Sequence, residues 1–398
     1  MQPDPDDLLT AAAVRERCGL VFAAAEAGEA PHFRLHPERL DAAARLVAEI
    51  TRRRYPDLRV PFHSRWRHFS GGGVDRARLV APGANRVETA RARIDLAIVS
   101  VLLDAGAGPE WRYREAETGQ VLARSEGLGV ASLRAMQAGL FSAQAGLFSA
   151  DPTRPWRADA AALAALTPRA LAGALQHRDG NALAGFEGRV ALLRRLGEVA
   201  GNNPAVFGHP ARLGNLYDFW SRQGGAIEAA SVLRTLLVAL GPIWPGRPLG
   251  DCGRHRAVPA DGLVAFHKLS QWLAYSLVEP LRDSGFAVTA LDGLTGLAEY
   301  RNGGLFVDLG VIAPRDPTLA SRPLDPMEEA VVEWRALTVV LLDRLAEQVR
   351  LTLGKTAEEF PLACMLEGGS WAAGREIALS LRPDGRPPLT VVTDGTLF

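Results

Sequence analysis

The sequence predicts a mainly α-helical protein carrying small β-hairpins, and three observations predict it. Apolar residues recur at three- and four-residue spacing through eight stretches, the period of a helix with one buried face. Strand-like alternation is confined to short arms around turn residues. No regular alternation of strand with helix runs along the chain, so a doubly wound parallel sheet is not expected.

Taken in order, the helical stretches are 8–27, 40–54, 91–104, 158–175, 186–201, 227–240, 263–281 and 327–353. One hairpin is expected from Trp111-Arg-Tyr-Arg-Glu, a turn at Glu117-Thr-Gly, and Gln120-Val-Leu-Ala-Arg. A second is expected from 377–381 and 389–393 around Arg382-Pro-Asp-Gly-Arg-Pro-Pro, although its first arm equally suits a helix end. Ser125-Glu-Gly-Leu-Gly reads as a loop entering a helix, either a capped connection or an N-terminus able to hold an anion. The stretch 138–150 holds a seven-residue duplication, too short for a solenoid. Asp151-Pro-Thr-Arg-Pro is the clearest linker, so the chain is expected to be one domain, 1–398, in which two lobes would divide at about 1–150 and 151–398.

At 398 residues with a formal net charge of +0, the chain lacks the charge excess of a bulk nucleic-acid or acidic-membrane binder. Cys18, Cys252 and Cys364 are scattered without metal spacing and cannot all pair, which fits a reducing, cytoplasmic compartment. The eight histidines show no ligand spacing either, so neither a metal nor a cofactor is expected. The acidic, proline-bearing start differs from a targeting signal, and the longest apolar run is interrupted by His267, Lys268 and Gln271. The partner this leaves is a small molecule; the oligomeric state is not readable.

Of 45 basic residues only Lys268 and Lys355 are lysines. An exposed cation can drift to arginine at little cost, whereas a compact ammonium fitted to a pocket cannot. Lys355 sits in a polar helix-start context, but Lys268 interrupts the apolar run from Gly262 to Pro280. Helical spacing puts Val264, Lys268, Gln271, Tyr275 and Glu279 on one side, with His267 at its border. That side is either a solvated face or the wall of a pocket. Downstream, Leu294, Leu297 and Ala298 suggest a short helix ending at Asn302-Gly-Gly. Glu299 and Arg301 would then sit at a helix C-terminus, where the dipole raises a carboxyl pKa unless a cation such as Lys268 compensates. A third cluster, His63-Ser-Arg-Trp-Arg-His-Phe-Ser-Gly-Gly-Gly, offers Arg65, Trp66, Arg67 and His68 as a clamp for a planar or anionic ligand, or as a structural turn.

Several of these segments resemble the uracil catabolism protein 4 family. They are His63-Ser-Arg-Trp-Arg-His-Phe, Arg124-Ser-Glu-Gly-Leu, Phe266-His-Lys-Leu-Ser-Gln-Trp-Leu, Glu299-Tyr-Arg-Asn-Gly-Gly-Leu-Phe-Val-Asp, Glu367-Gly-Gly-Ser-Trp-Ala-Ala-Gly-Arg-Glu and Thr393-Asp-Gly-Thr-Leu-Phe. The resemblance implies a role in a pyrimidine route that opens the uracil ring at the nucleotide level and passes through ribosylurea-type intermediates. Phe266-His-Lys-Leu-Ser-Gln and Leu294-Thr-Gly-Leu-Ala-Glu-Tyr-Arg are also similar to segments of the queuosine nucleotide N-glycosidases. Those enzymes are similar in fold to helix-hairpin-helix DNA glycosylases, which implies a DNA-glycosylase-like helical architecture in two lobes. Their central lysine and acid map onto Lys268 and Glu299, 31 positions apart. This chain departs in having Glu for Asp and Asn302-Gly-Gly for Val-Pro-Gln.

Together the resemblances imply an N-glycosidase that releases urea from ribosylurea or its 5′-phosphate. Glu299 would stabilise the sugar cation and orient or deprotonate water, and Lys268 would keep Glu299 ionised. Arg65, Arg67 and Arg301 would bind an anion, Trp66 and His68 would contact ribose or the leaving group, and Gln271 would line the site. Asp308 and His267 are the candidates for a general acid. Two other readings are an amidohydrolase acting on the ring-opened nucleotide and a non-catalytic, nucleotide-binding partner or regulator of the pathway.

Overall fold

A computed structural model describes residues 5–143, 156–244 and 249–392. Within them the protein is mainly α, with ten short strands in five separate two-stranded sheets. The linker 151–155, the second copy of the duplication and the 393–398 motif lie outside the described residues. The chain divides into two compact units that interleave in sequence. The first comprises Met1–His63, Leu249–Gln271 and Ala290–Val392; the second comprises Ser64–Pro248 and Trp272–Thr289, with 393–398. The expected division near residue 150 falls inside the second unit.

The first unit is organised on the 25-residue helix Glu329–Leu353, against which the helices Ala11–Glu26 and Leu40–Arg54 pack. Thr10 starts the first of these by accepting from the Ala13 N–H at 3.0 Å, and Gly354, at φ +66°, ends the long helix in the left-handed conformation. Val14, Cys18, Val264, Phe266 and Val332 form the core between them. At roughly 25 cal/mol per Å² of apolar surface removed from water, such burial is the main favourable term. All three cysteines are buried and none is in a disulfide.

The second unit surrounds Arg86–Leu102, whose residues from Ile94 to Leu102 are buried on every side. Asn85 caps this helix by accepting from Glu88 N–H at 2.9 Å. The expected hairpin is present as Arg112–Arg114 paired antiparallel with Val121–Ala123. In its turn the fully buried Glu115 accepts from Arg76 Nε at 2.8 Å and Arg134 Nε at 2.7 Å.

Several expected elements are corrected. The stretch 158–175 is two helices, Ala160–Ala164 and Pro168–Ala174, because Thr167 caps and Pro168 opens the second. Ile227 and Leu263 belong to strands, Ala226–Glu228 and Leu263–Ala265, that precede their helices. Ser125–Gly129 is helix, inside Arg124–Gln137, so it is no anion-holding entry loop. Residues 377–381 end the helix Trp371–Leu381, while Thr390–Val391 pairs in parallel with Pro323–Leu324. The second hairpin therefore does not form.

Candidate active site

Lys268 is the first residue of the helix Lys268–Ser284, so Val264 and His267 do not share that helix with it. The preceding strand pairs Ala265 with Cys252, and the turn between strand and helix is fixed by Asp251. Its carbonyl accepts from Phe266 N–H at 2.9 Å and His267 N–H at 3.3 Å. Its carboxylate accepts from Lys268 N–H at 3.1 Å and is gripped by Arg335 at 2.8 and 2.6 Å. Burial pushes this carboxyl up, but Arg335 and the Lys268 N–H outweigh it and hold it below the ordinary range. Two turns of chain are thereby locked around the start of the lysine helix.

Gln271, also buried, ties Phe266 to Thr295. Its amide nitrogen donates to Phe266 O at 3.1 Å and Thr295 Oγ1 at 2.5 Å, and its Oε1 accepts from Thr295 N–H at 2.8 Å. Residues 294–299 are thus buried non-helical chain lashed to the first turn of the lysine helix, and the short helix expected there does not form. The helix begins where it was expected to end: Glu299 is the N-cap of Tyr300–Asp308. Its two carboxylate oxygens accept from Arg301 N–H at 2.8 Å and Asn302 N–H at 2.5 Å. The helix dipole therefore favours the ionised form, opposite to the sequence expectation. Burial is nevertheless the largest influence and raises the Glu299 pKa; the two N–H donors, Lys268 and His63 pull it back only in part.

Gly303 and Gly304 lie inside this helix. A Cβ on Gly303 would stand 2.7 Å from the Trp334 ring, whose Nε1 donates to Gly303 O at 3.1 Å. The glycines serve close packing, where sequence spacing suggested a helix stop.

A second carboxylate lies in the same unit. His63 Nδ1 stands 3.0 Å from Glu367 Oε2. Glu367 Oε1 accepts from Tyr55 Oη at 3.3 Å and Arg54 Nη2 at 3.4 Å. Glu367 belongs to a π-helical turn, Leu366–Ser370, between Leu362–Met365 and Trp371–Leu381. Ser370 Oγ donates to Asn302 Oδ1 at 2.9 Å, joining this turn to the Glu299 helix.

A family model described as protein of unknown function (DUF1688) matches residues 7–398. The chain belongs to this family. It is 39% identical over 408 residues to "Protein urg3" of Schizosaccharomyces pombe, covering 98% of each chain. It is 36% identical over 434 residues to "Uracil catabolism protein 4" of Lachancea kluyveri, covering 97% of each.

In this DUF1688 chain the other expected site residues fall into two groups. In the first unit, Arg301 donates to Gly385 O at 2.8 Å. Asp308, at the far end of the helix from Glu299, is in a two-bond ion pair with Arg382 at 2.8 and 2.5 Å. His267 Nε2 is 2.8 Å from Leu8 O, and burial lowers its pKa against the opposing effects of that contact and of Asp251. In the second unit, Arg65 is fully buried, pairs with Asp104 at 2.7 Å and donates to Ser100 Oγ at 2.7 Å. Its neighbour Trp66 donates from Nε1 to Ser276 O at 2.8 Å. Arg67 pairs with Glu279 at 2.6 Å, and His68 Nδ1 lies 2.9 Å from Arg65 Nη1. Lys268, Gln271 and Glu299 are brought together within one unit, whereas the Arg65–His68 run belongs to the other. Sequence reasoning missed Asp251, Arg335, Thr295 and the pairing of His63 with Glu367. A carboxylate immediately before Gly368-Gly369 was the available signal for Glu367.

Proposed function

We propose that the protein is an N-glycosidase of pyrimidine catabolism that hydrolyses ribosylurea, or its 5′-phosphate, to urea and the ribose species. The observation that carries this reading is the buried Glu299 carboxylate, presented by two backbone N–H groups within the electrostatic reach of Lys268. The similarity to glycosidase segments and the name of the Lachancea kluyveri relative support it. Breaking the C1′–N bond leaves the electron pair on nitrogen and positive charge on C1′ and the ring oxygen. A fixed carboxylate stabilises that charge without reorganising. Water then adds to C1′ through oxygen and its proton goes to Glu299, whose raised pKa suits a proton acceptor. Lys268 favours the ionised carboxylate needed for both tasks. Asp308 and Trp66 take no part in this scheme, because their polar groups are committed to the partners named above.

The test is incubation of purified protein with ribosylurea and with its 5′-phosphate, assaying urea and reducing sugar together. Release of both in equal amounts is expected, and Glu299→Gln should lower kcat by about 100-fold or more. Absence of release from either substrate, with ligand-induced thermal stabilisation, would replace this reading by that of a non-catalytic binding protein.

A further inference from the structure

We propose that His63, aligned by Glu367, protonates the departing nitrogen; this assignment rests on the N-glycosidase reading. Urea nitrogen is a poor leaving group as an anion, so the bond needs a proton donor as well as a carboxylate. The backbone that carries the imidazole is anchored: His63 N–H donates to Ala363 O at 3.0 Å. The ring is anchored too, since a proton on Nδ1 bonds to Glu367 Oε2 at 3.0 Å. With Nδ1–H committed to Glu367, Nε2 is the nitrogen left to exchange a proton with substrate, and it donates that proton from the imidazolium form of the ring.

Glu367 is itself immobilised. Tyr55 Oη and Arg54 Nη2 donate to its carboxylate, and Arg54 Nη1 donates to its backbone carbonyl at 2.5 Å. Ser370, in the same turn as Glu367, donates from Oγ to Asn302 Oδ1 at 2.9 Å, and the Asn302 N–H donates to Glu299 at 2.5 Å, so the His63–Glu367 pair and the Glu299 carboxylate hang on one hydrogen-bonded chain. The charged group in contact with the His63 ring is Glu367, and Arg54 and Tyr55 contact Glu367 in turn.

The cycle balances. The C1′–N bond breaks, its electron pair stays on nitrogen, and that nitrogen takes the Nε2 proton. A C1′–O bond forms to water, whose proton goes to Glu299. Transfer of that proton from Glu299 to His63, directly or through solvent, restores the starting state with net consumption of one water. Glu367 is a positioning residue in this scheme.

The experiment measures urea release by wild type, His63→Ala and Glu367→Gln, with melting temperatures as a control for folding. His63→Ala is expected to lose about 100-fold in kcat and to recover about 10-fold with added imidazole. Glu367→Gln is expected to lower kcat while KM stays within about twofold. Wild-type activity with His63→Ala at full rate, or a folded His63→Ala that imidazole does not rescue, would overturn the proton-donor assignment alone. A folded Glu367→Gln that keeps full kcat would overturn the alignment by Glu367. No release by wild type would overturn the N-glycosidase reading and this assignment with it.

Discussion

Burial and hydrogen bonding pull the Glu299 carboxyl in opposite directions, and burial prevails. The ordinary value is 4.5, so the acid limb of kcat/KM should stand above 4.5. Because Lys268 lowers the Glu299 pKa, Lys268→Met should move that limb to still higher pH; a limb that stays in place would detach the lysine from the carboxylate. The same balance has a sign for stability. The folded pKa exceeds the unfolded one, so ionised Glu299 costs stability, absent below about 4.5 and complete above the folded pKa. Lys268 was legible as a rarity in composition. The role of Glu299 was only half legible, since Asn302-Gly-Gly ordinarily marks a helix end. What reverses the reading is Trp334, which requires glycine inside the helix and stands 31 positions downstream of Gly303, beyond any local pattern.

The elements that read correctly are those whose buried face is long enough to leave a period. Leu40–Arg54 and Phe186–Gly201 match their expected bounds, and the 112–123 hairpin is announced by its turn residues. Three-residue strands such as Leu263–Ala265 show no period and pass as the start of the following helix. The site hangs on contacts between such elements. The Trp371–Leu381 helix meets the Glu299 helix at Gly374, where a Cβ would overlap the Arg301 carbonyl oxygen. Gly374→Ala should therefore destabilise the fold by about 1–3 kcal/mol. Thermal melting reads that loss, and urea release should fall with it because Arg301 N–H holds Glu299. An unchanged melting temperature would show that the two helices can separate freely.

Over the whole molecule, interleaving is the property least visible in sequence. The chain enters the second unit at Ser64, returns at Leu249, leaves again at Trp272 and returns at Ala290. Linker composition marks the return at Leu249, where Gly241-Pro-Ile-Trp-Pro-Gly-Arg-Pro248 precedes it, whereas the passage at Trp272 falls within the Lys268–Ser284 helix. Each unit carries its own acid-labile clamp. In the first, Arg256 holds the Glu329 carboxyl down to about 2 against the opposing effect of burial. In the second, burial pushes Glu115 up, but Arg76, Thr118 and Arg134 outweigh it and hold it at about 2. Depressed carboxyls stabilise the folded state above their unfolded pKa, and that stabilisation is lost as pH falls from about 4.5 toward 2. Glu115→Gln should cost about 3–5 kcal/mol at neutral pH, the penalty of leaving buried charge unpaired. Chemical denaturation at stepped pH should show the gap from wild type closing as pH approaches 2; a gap independent of pH would reject the clamp.

The π-helical turn at Leu366–Ser370 also has a bearing on how this chain can change length. Such a turn accommodates one residue more than the α-turn it interrupts. The flanks Leu362–Met365 and Trp371–Leu381 therefore keep the phase of one continuous helix, while the surplus residue is taken up within the turn that carries Glu367. A one-residue deletion in this turn should leave both flanks in step with their neighbours while resetting the backbone that carries Glu367, the partner of His63. Along this helix, the turn that architecture can shorten is the one on which the proposed chemistry depends.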